Sequence, residues 1–375
     1  MKNPLAQIPD FGQSIWLDYI KKSFIESGEL KKLIDEDDLR GVTSNPAIFE
    51  EAIAHSDDYN DIINELAKTD LSTEDIFLKL AIADVQAAAD LFKGVYEKTD
   101  ALDGYVSLEV SPGLAQDTEG SIAEARSSWA TLDRKNVMIK IPGTKEGIPA
   151  IKELISEGIN INVTLLFSLD RYRAVAEAYI EGLEARLAKG ESIDNVASVA
   201  SFFLSRVDTM VDPQLEEIIK TDSNRATPAK QLLGKVAIAS ARVAYHIYKE
   251  VFRSERFKAL EAKGAKPQRL LWASTSVKNK AYDELMYLEA LIGPETVDTV
   301  PKDTLAIYRE KGHPASRLED GLEDAQYVLY QLEDVVGLKL SDITQKLEEE
   351  GIEKFIKPFG SLMNVLAQKR QEAAV

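Results

Sequence analysis

The chain has 375 residues, with 45 Lys and Arg against 63 Asp and Glu and a formal charge of −18, a balance that repels nucleic-acid phosphates, and no basic, aromatic-interleaved stretch offsets it. Cysteine is absent, which excludes disulfides, thiolate catalysis and Cys-ligated zinc or iron–sulfur centres and fits a reducing compartment. The opening MKNPLAQIPD lacks the apolar centre of a signal peptide and no run approaches ~18 apolar residues, so a cytoplasmic protein is expected, with neither nucleic acid nor membrane as partner.

In chain order, Ser14-Ile15-Trp16-Leu17-Asp18-Tyr19 reads as a first strand that puts Asp18 on one face, followed by helix through about Ile34. Gly41-Val42-Thr43-Ser44-Asn45-Pro46 is a strand broken by proline, with Thr43 and Asn45 on one face. From about Ala47 to Thr99 the chain reads as helical; Ser72-Thr73-Glu74-Asp75 resembles a capping box, and Ile76, Leu80, Ala83, Ala87, Leu91 and Val95 form a packing stripe. Gly104 to Pro112 alternates Val106, Leu108 and Val110 against Tyr105, Ser107 and Glu109, and Ser121-Ile122-Ala123-Glu124 then caps a helix.

Val137-Met138-Ile139-Lys140-Ile141-Pro142-Gly143-Thr144 has strand length and β-branched composition, and Pro142-Gly143 stops it. Val137, Ile139 and Ile141 point one way, Met138 and Lys140 the other. Taken alone, this is compatible with an edge-strand lysine in water. After a helix from Gly147 to Glu157, Ile161 to Phe167 sets Ile161, Val163 and Leu165 against Asn162 and Thr164, and a helix runs from Leu169 to about Lys189. The sixth strand, Val199 to Arg206, places Ser201 and Phe203 on one face with Arg206 just past its end. Asp212 to Lys263 is helical, interrupted near Thr221 to Pro228; Leu270 to Ser276 is the seventh strand, Thr296 to Pro301 the eighth, and the tail from Ala315 is helical, with Leu318, Leu322, Ala325, Leu329 and Leu332 at helical steps.

Eight short strands, each followed by helix, fit an α/β (β/α)8 TIM barrel with additional helices, including a C-terminal helical extension. A doubly wound open sheet is the rival; against it, no Gly-rich phosphate turn follows the first strand. The expected organisation is one domain over residues 1–375, with a barrel core at about 10–310 and helices 311–375 packed on it. In a barrel the inward faces meet, so Asp18, Asn45, Glu109, Lys140, Asn162, Thr164 and Ser201 converge near the C-terminal mouth. So many polar groups are costly to bury unless they bind one another, water or a ligand.

A buried lysine flanked by two carboxylates, hydroxyls and amides suits carbonyl chemistry through an imine. Burial disfavours the ammonium and makes the free amine available. Asp18 and Glu109 are the candidates for moving protons. Arg206 and Lys278 lie just beyond strands six and seven, where cations can hold a substrate phosphate despite the acidic surface. The three histidines, His55, His246 and His313, fall in helical or loop contexts without ligand spacing, and nothing identifies a partner for a pyridoxal ring nitrogen. Neither metal nor cofactor is expected.

Gly41-Val42-Thr43-Ser44-Asn45-Pro46-Ala47-Ile48-Phe49 resembles the N-terminal signature of the transaldolase family, and Val137 to Ile148 resembles its active-site signature around a Schiff-base lysine; the similarity covers most of residues 10 to 310. The resemblance implies a class I aldolase barrel that acts on sugar phosphates, moving a dihydroxyacetone unit from sedoheptulose 7-phosphate to glyceraldehyde 3-phosphate. By resemblance Lys140 is the imine lysine and Asp18 the general acid/base, while Glu109 and Thr164 hold the water used in forming and hydrolysing the imine. Asn45, Asn162 and Ser201 match residues that bind the dihydroxyacetone moiety, and Arg206 and Ser274 match phosphate ligands. The stretch Ser274 to Asn279 departs from the pattern, with Lys278 where many members place arginine in a shorter segment, and the chain extends past many relatives at its C-terminus. A fructose 6-phosphate aldolase is the alternative within the family, although it carries glutamine and tyrosine where Glu109 and Phe203 stand. A non-catalytic sugar-phosphate-binding barrel is the alternative outside enzymes. Monomer and homodimer both remain open.

Overall fold

The computed structural model describes residues 3–373, so positions 1, 2, 374 and 375 of the expected 1–375 span lie outside the described residues. Eight parallel strands close into a barrel in sequence order: β1 Gln13–Asp18, β2 Gly41–Thr43, β3 Tyr105–Glu109, β4 Val137–Pro142, β5 Ile161–Leu166, β6 Ser198–Phe203, β7 Arg269–Ala273 and β8 Thr296–Val300. β8 pairs with β1 through Gln13↔Thr296 to Leu17↔Val300, which completes the ring and excludes the open sheet. No helix among the described residues is long and apolar enough to cross a membrane.

The N-terminal floor of the barrel is a buried ionic plug. Arg269 Nη2 lies 2.9 Å from Asp103 Oδ1 and its Nη1 donates to Ser14 Oγ at 3.0 Å, while Ser14 Oγ donates to Asp103 Oδ2 at 2.7 Å. Burial alone would raise the Asp103 carboxyl, but Arg269, Ser14 and Arg40 outweigh it and hold the group below its ordinary value. A charge so paired is tolerated in the interior, and it leaves the other end of the barrel to a site.

Several elements depart from the sequence expectations. β2 stops at Thr43: Pro46 has no N–H to give a ladder, and Asn45 instead caps the helix Pro46–Ala54, its Oδ1 accepting from Ile48 N at 3.0 Å. The helix Thr118–Leu132 begins before Ser121, with Asp117 as its cap through Gly120 N; Ser121 Oγ donates to Leu114 O. The Ser72–Asp75 capping box is present on Thr73–Lys98. That helix buries Ile76, Phe77, Leu80, Ala81, Asp84, Val85, Ala88, Ala89 and Phe92, whereas Ala83 and Ala87 are exposed. Alanines carry little phase information, and the inward Asp84 is made tolerable by the Tyr59 hydroxyl, which donates to it at 2.6 Å. β7 ends at Ala273 because Ser274 takes a left-handed φ of 56°.

The tail differs most. Residues 315–320 are not helical: Arg317 and Leu318 both donate their N–H to Ile292 O, and Leu318 is buried against Gly293. Helix begins at Leu322–Tyr330, passes through a π-turn at Gln331–Val336, and resumes as Leu340–Ala373. This last helix contacts the helices Pro46–Ala54 and Thr73–Lys98 as well as β5 at the mouth. Leu362 and Leu366 on it are fully buried, contributing about 1.5–3 kcal/mol each to its docking.

Candidate active site

Lys140 leaves β4 into the barrel interior and is 5% exposed. Its register partners are Glu109 on β3 and Asn162 on β5. Nζ lies 3.0 Å from Glu109 Oε2 and donates to Ser44 O at 2.9 Å. Burial pushes the Glu109 carboxyl above its ordinary value, Lys140's charge and hydrogen bond oppose the shift, and the Asp18 charge adds to it. The nitrogen and the carboxyl thus face one another at 3.0 Å, with both side chains buried.

Asp18, at the end of β1, accepts from Thr43 Oγ1 at 2.7 Å, and Thr43 Oγ1 in turn meets Thr299 Oγ1 at 2.6 Å. Its carboxyl is raised by burial, against the charge of Lys140, the Thr43 bond and the charge of Arg206. Deeper in, Asn162 Nδ2 donates to Ser107 Oγ at 3.1 Å and Ser201 Oγ donates to Asn162 Oδ1 at 2.7 Å. Thr164 Oγ1 is buried without a hydrogen-bond partner, and such a hydroxyl is costly unless a ligand or water serves it.

A cavity of about 190 Å³ opens above these residues, lined by Asp18, Asn45, Lys140, Thr164 and Ser201 at one end and by Arg206, Ser274 and Lys278 at the other. Glu109 and Asn162 do not line it; they stand behind Lys140 and Ser201. Arg206 is the second residue of the helix Ser205–Thr221, whose N-terminus favours anions. Its Nη1 is buried without a hydrogen-bond partner, and burial pulls the guanidinium below its ordinary value. Ser274 Oγ meets Ser205 Oγ at 3.0 Å. Lys278 is exposed at the rim and donates to Ser276 Oγ at 2.6 Å; partial desolvation and the neighbouring charge of Arg206 lower it. Two cations side by side in a chain of charge −18 form a local anion site.

β5 carries an irregularity at this mouth. Its register with β6 shifts between Val163 and Leu166, and Leu165 has φ of 58°. The expected outward run of Ile161, Val163 and Leu165 thus breaks at its last member, which packs beneath Gly351 of the C-terminal helix.

The description of the transaldolase/fructose-6-phosphate aldolase family matches residues 15–366. This chain belongs to that family. It is 50% identical to a transaldolase of Trichodesmium erythraeum over 98% of this chain and 97% of the relative. It is 46% identical to transaldolase 2 of a Nostoc species over 98% of this chain and 97% of that relative. A transaldolase of Thermobifida fusca is 44% identical over 98% of this chain and 99% of its own. The family match runs well into the C-terminal helix.

Within this family frame, sequence reading missed Thr43, which holds Asp18, Thr299, which meets Thr43, and Ser107, which holds Asn162. Thr43 and Ser107 carried a signal, since each shares an inward face with a candidate. Phe355, which lines the cavity from the C-terminal helix, carried none. His246 is half-buried and His313 exposed, and they pair with Glu250 and Glu289 respectively. His55 does stand with Glu50 and Glu51, all three ligand atoms within 4.8 Å, contrary to the expectation of no ligand spacing. The grouping comes from the end of the helix Pro46–Ala54 folding His55 back toward Glu50, away from the cavity.

Proposed function

We propose that this barrel catalyses transaldolase transfer, with Lys140 as the imine-forming nucleophile, and that one domain does so with the C-terminal helix packed across its mouth. The reading rests above all on the buried Lys140 ammonium bridging Glu109 and the Ser44 carbonyl at the base of a cavity whose far end carries Arg206 and Lys278. The relatives named transaldolase support the reaction.

Lys140 passes a proton to Glu109 and its amine adds to the C2 carbonyl of sedoheptulose 7-phosphate; loss of water gives the protonated imine. Asp18 takes the proton of the C4 hydroxyl, the C3–C4 bond breaks, and its electron pair is held as an enamine while erythrose 4-phosphate leaves. The enamine adds to the aldehyde of glyceraldehyde 3-phosphate, and Asp18 returns its proton to the new alkoxide. Water, oriented by Thr164 and activated by Glu109, hydrolyses the imine and frees fructose 6-phosphate. Ser201 and Asn45 bind the dihydroxyacetone hydroxyls, with Asn162 fixing Ser201, Arg206 and Ser274 bind phosphate, and Lys278 attracts it from the exposed rim. No metal or cofactor enters these steps. The reading extends to a cytoplasmic enzyme of the pentose phosphate interconversions, a setting that the absence of cysteine fits.

The decisive experiment adds fructose 6-phosphate and borohydride and weighs the peptide containing Lys140. A three-carbon adduct is expected on Lys140 and none in Lys140→Arg, because a permanently charged guanidinium is no nucleophile. An unmodified Lys140 peptide would rule out both the transaldolase and the aldolase, leaving a binding barrel. Transfer to erythrose 4-phosphate then separates the first two: release of free dihydroxyacetone in place of sedoheptulose 7-phosphate identifies the aldolase.

A further inference from the structure

The face of the C-terminal helix Leu340–Ala373 that crosses the mouth carries Gly351 and Phe355 one turn apart. At Gly351 the helix comes so close that an added Cβ would lie 3.1 Å from Leu165 Cδ2 and 3.6 Å from Arg206 Nη1. One turn on, the Phe355 ring stands 5.9 Å from the Arg206 guanidinium carbon, and the Phe203 ring stands 5.5 Å from it. Both rings line the active-site cavity. The helix is fixed across the mouth by Arg171 with Glu348 at 3.5 Å on one side and by the edge-on packing of Phe359 against Phe77, with ring centroids 5.4 Å apart, on the other.

We propose that Phe355 is a positioning residue for Arg206, holding the guanidinium between two aromatic faces at the wall of the cavity, where it can meet a substrate phosphate. The proposal rests on the reading of Arg206 as a phosphate ligand. It gives the C-terminal helix a task in recognising the phosphorylated end of the sugar.

The physical case is one of competing partners. Glu350 acts on the Arg206 charge from the same helix, and a guanidinium free to swing would pair with that carboxylate. Glu350 is drawn away by Lys354, at 3.4 Å. The two rings attract the cation through their faces without occupying its N–H donors. They also exclude water from the guanidinium, so its charge is less screened than that of the exposed Lys278. A phosphate therefore meets a donor that is already oriented and desolvated, which lowers the ordering cost of binding.

The test compares transfer to glyceraldehyde 3-phosphate with transfer to unphosphorylated glyceraldehyde. Phe355→Leu should raise KM for the phosphorylated acceptor by about five- to tenfold, leave kcat within about twofold, and leave KM for glyceraldehyde unchanged. Competitive inhibition by inorganic phosphate should weaken by the same factor. Phe355→Tyr, which keeps the ring, should behave as wild type. If the leucine variant does not fold, Phe355→Met supplies the same ringless comparison. Equal effects on both acceptors, or no effect on either, would overturn the proposal. Arg206→Ala distinguishes the two levels: a raised KM there with none in Phe355→Leu defeats only the positioning role, and an unchanged KM in Arg206→Ala defeats the phosphate reading beneath it.

Discussion

Asp18 and Glu109 are two carboxyls raised by the same cause, burial, yet placed for different tasks. Glu109 touches Lys140 directly and does not line the cavity, the placement on which its proposed proton exchange with the nitrogen rests. Asp18 lines the cavity, and Thr43 turns one of its oxygens away, leaving the other for substrate. In the cleavage half-reaction proposed above, Asp18 must be ionised. Because its folded value is raised, erythrose 4-phosphate release in a single turnover should fall with decreasing pH through a midpoint above the ordinary aspartate value of 3.8. Asp18→Asn should remove that acid limb and slow cleavage by about 10²- to 10⁴-fold while the borohydride adduct still forms. Cleavage at the wild-type rate would take Asp18 out of its role. Thr43→Val should shift the midpoint further upward, since the bond it removes stabilises the carboxylate.

At the level of elements, β8 shows how alternation sorts function from structure. Thr299 faces the cavity, so Asp298 faces the helix layer. It is fully buried, neither oxygen meets hydrogen-bond geometry, and burial pushes it up to about 8 against a weak opposing influence of Thr275. The folded state thus keeps a proton that the unfolded chain gives up near 3.8. The contribution of this group to stability is full below the unfolded value, falls as pH rises from there to about 8 by about 1.4 kcal/mol per pH unit, and does not change above. Asp298→Asn should abolish this slope: in urea titrations the variant should gain on the wild type steadily between about pH 5 and 8. A stability difference that stays constant across that range would contradict the assignment. The other instructive element is β5, where a left-handed Leu165 ends the alternation and hands its side chain to the C-terminal helix.

For the whole molecule, a charge of −18 repels the anionic substrates that the mouth must attract. Arg206 and Lys278 answer this differently. Lys278 is exposed and acts through water, within reach of added salt, whereas Arg206 is enclosed by two rings. Lys278→Ala should raise KM for glyceraldehyde 3-phosphate by about two- to fivefold at low salt, and the difference should vanish near 1 M salt, where the screening length is about 3 Å. Arg206→Ala should cost about ten- to a hundredfold, with most of it surviving salt. A Lys278 effect that persists unchanged at 1 M would mean direct contact with the phosphate.

The sequence alone was enough to establish eight strands and the shared inward side of Asp18, Glu109, Lys140, Asn162, Thr164 and Ser201, because these follow from a period of two and from turn chemistry, both local properties. It carried Asp18, Glu109, Thr164 and Ser201 to one end of a barrel for the same reason. It did not carry Thr299 to Thr43 or Phe355 to Arg206, since each pair joins segments far apart in the chain through closure or through a helix returning across the mouth. Nor could it foresee the broken phase at Leu165 or the non-helical stretch around Leu318, where packing against distant backbone overrides local pattern. Tertiary structure alone decided that Lys140 pairs with Glu109 and Ser44, because only the pairing of β2, β3 and β4 in one sheet sets Glu109 in register with Lys140 and brings the Ser44 carbonyl to its Nζ.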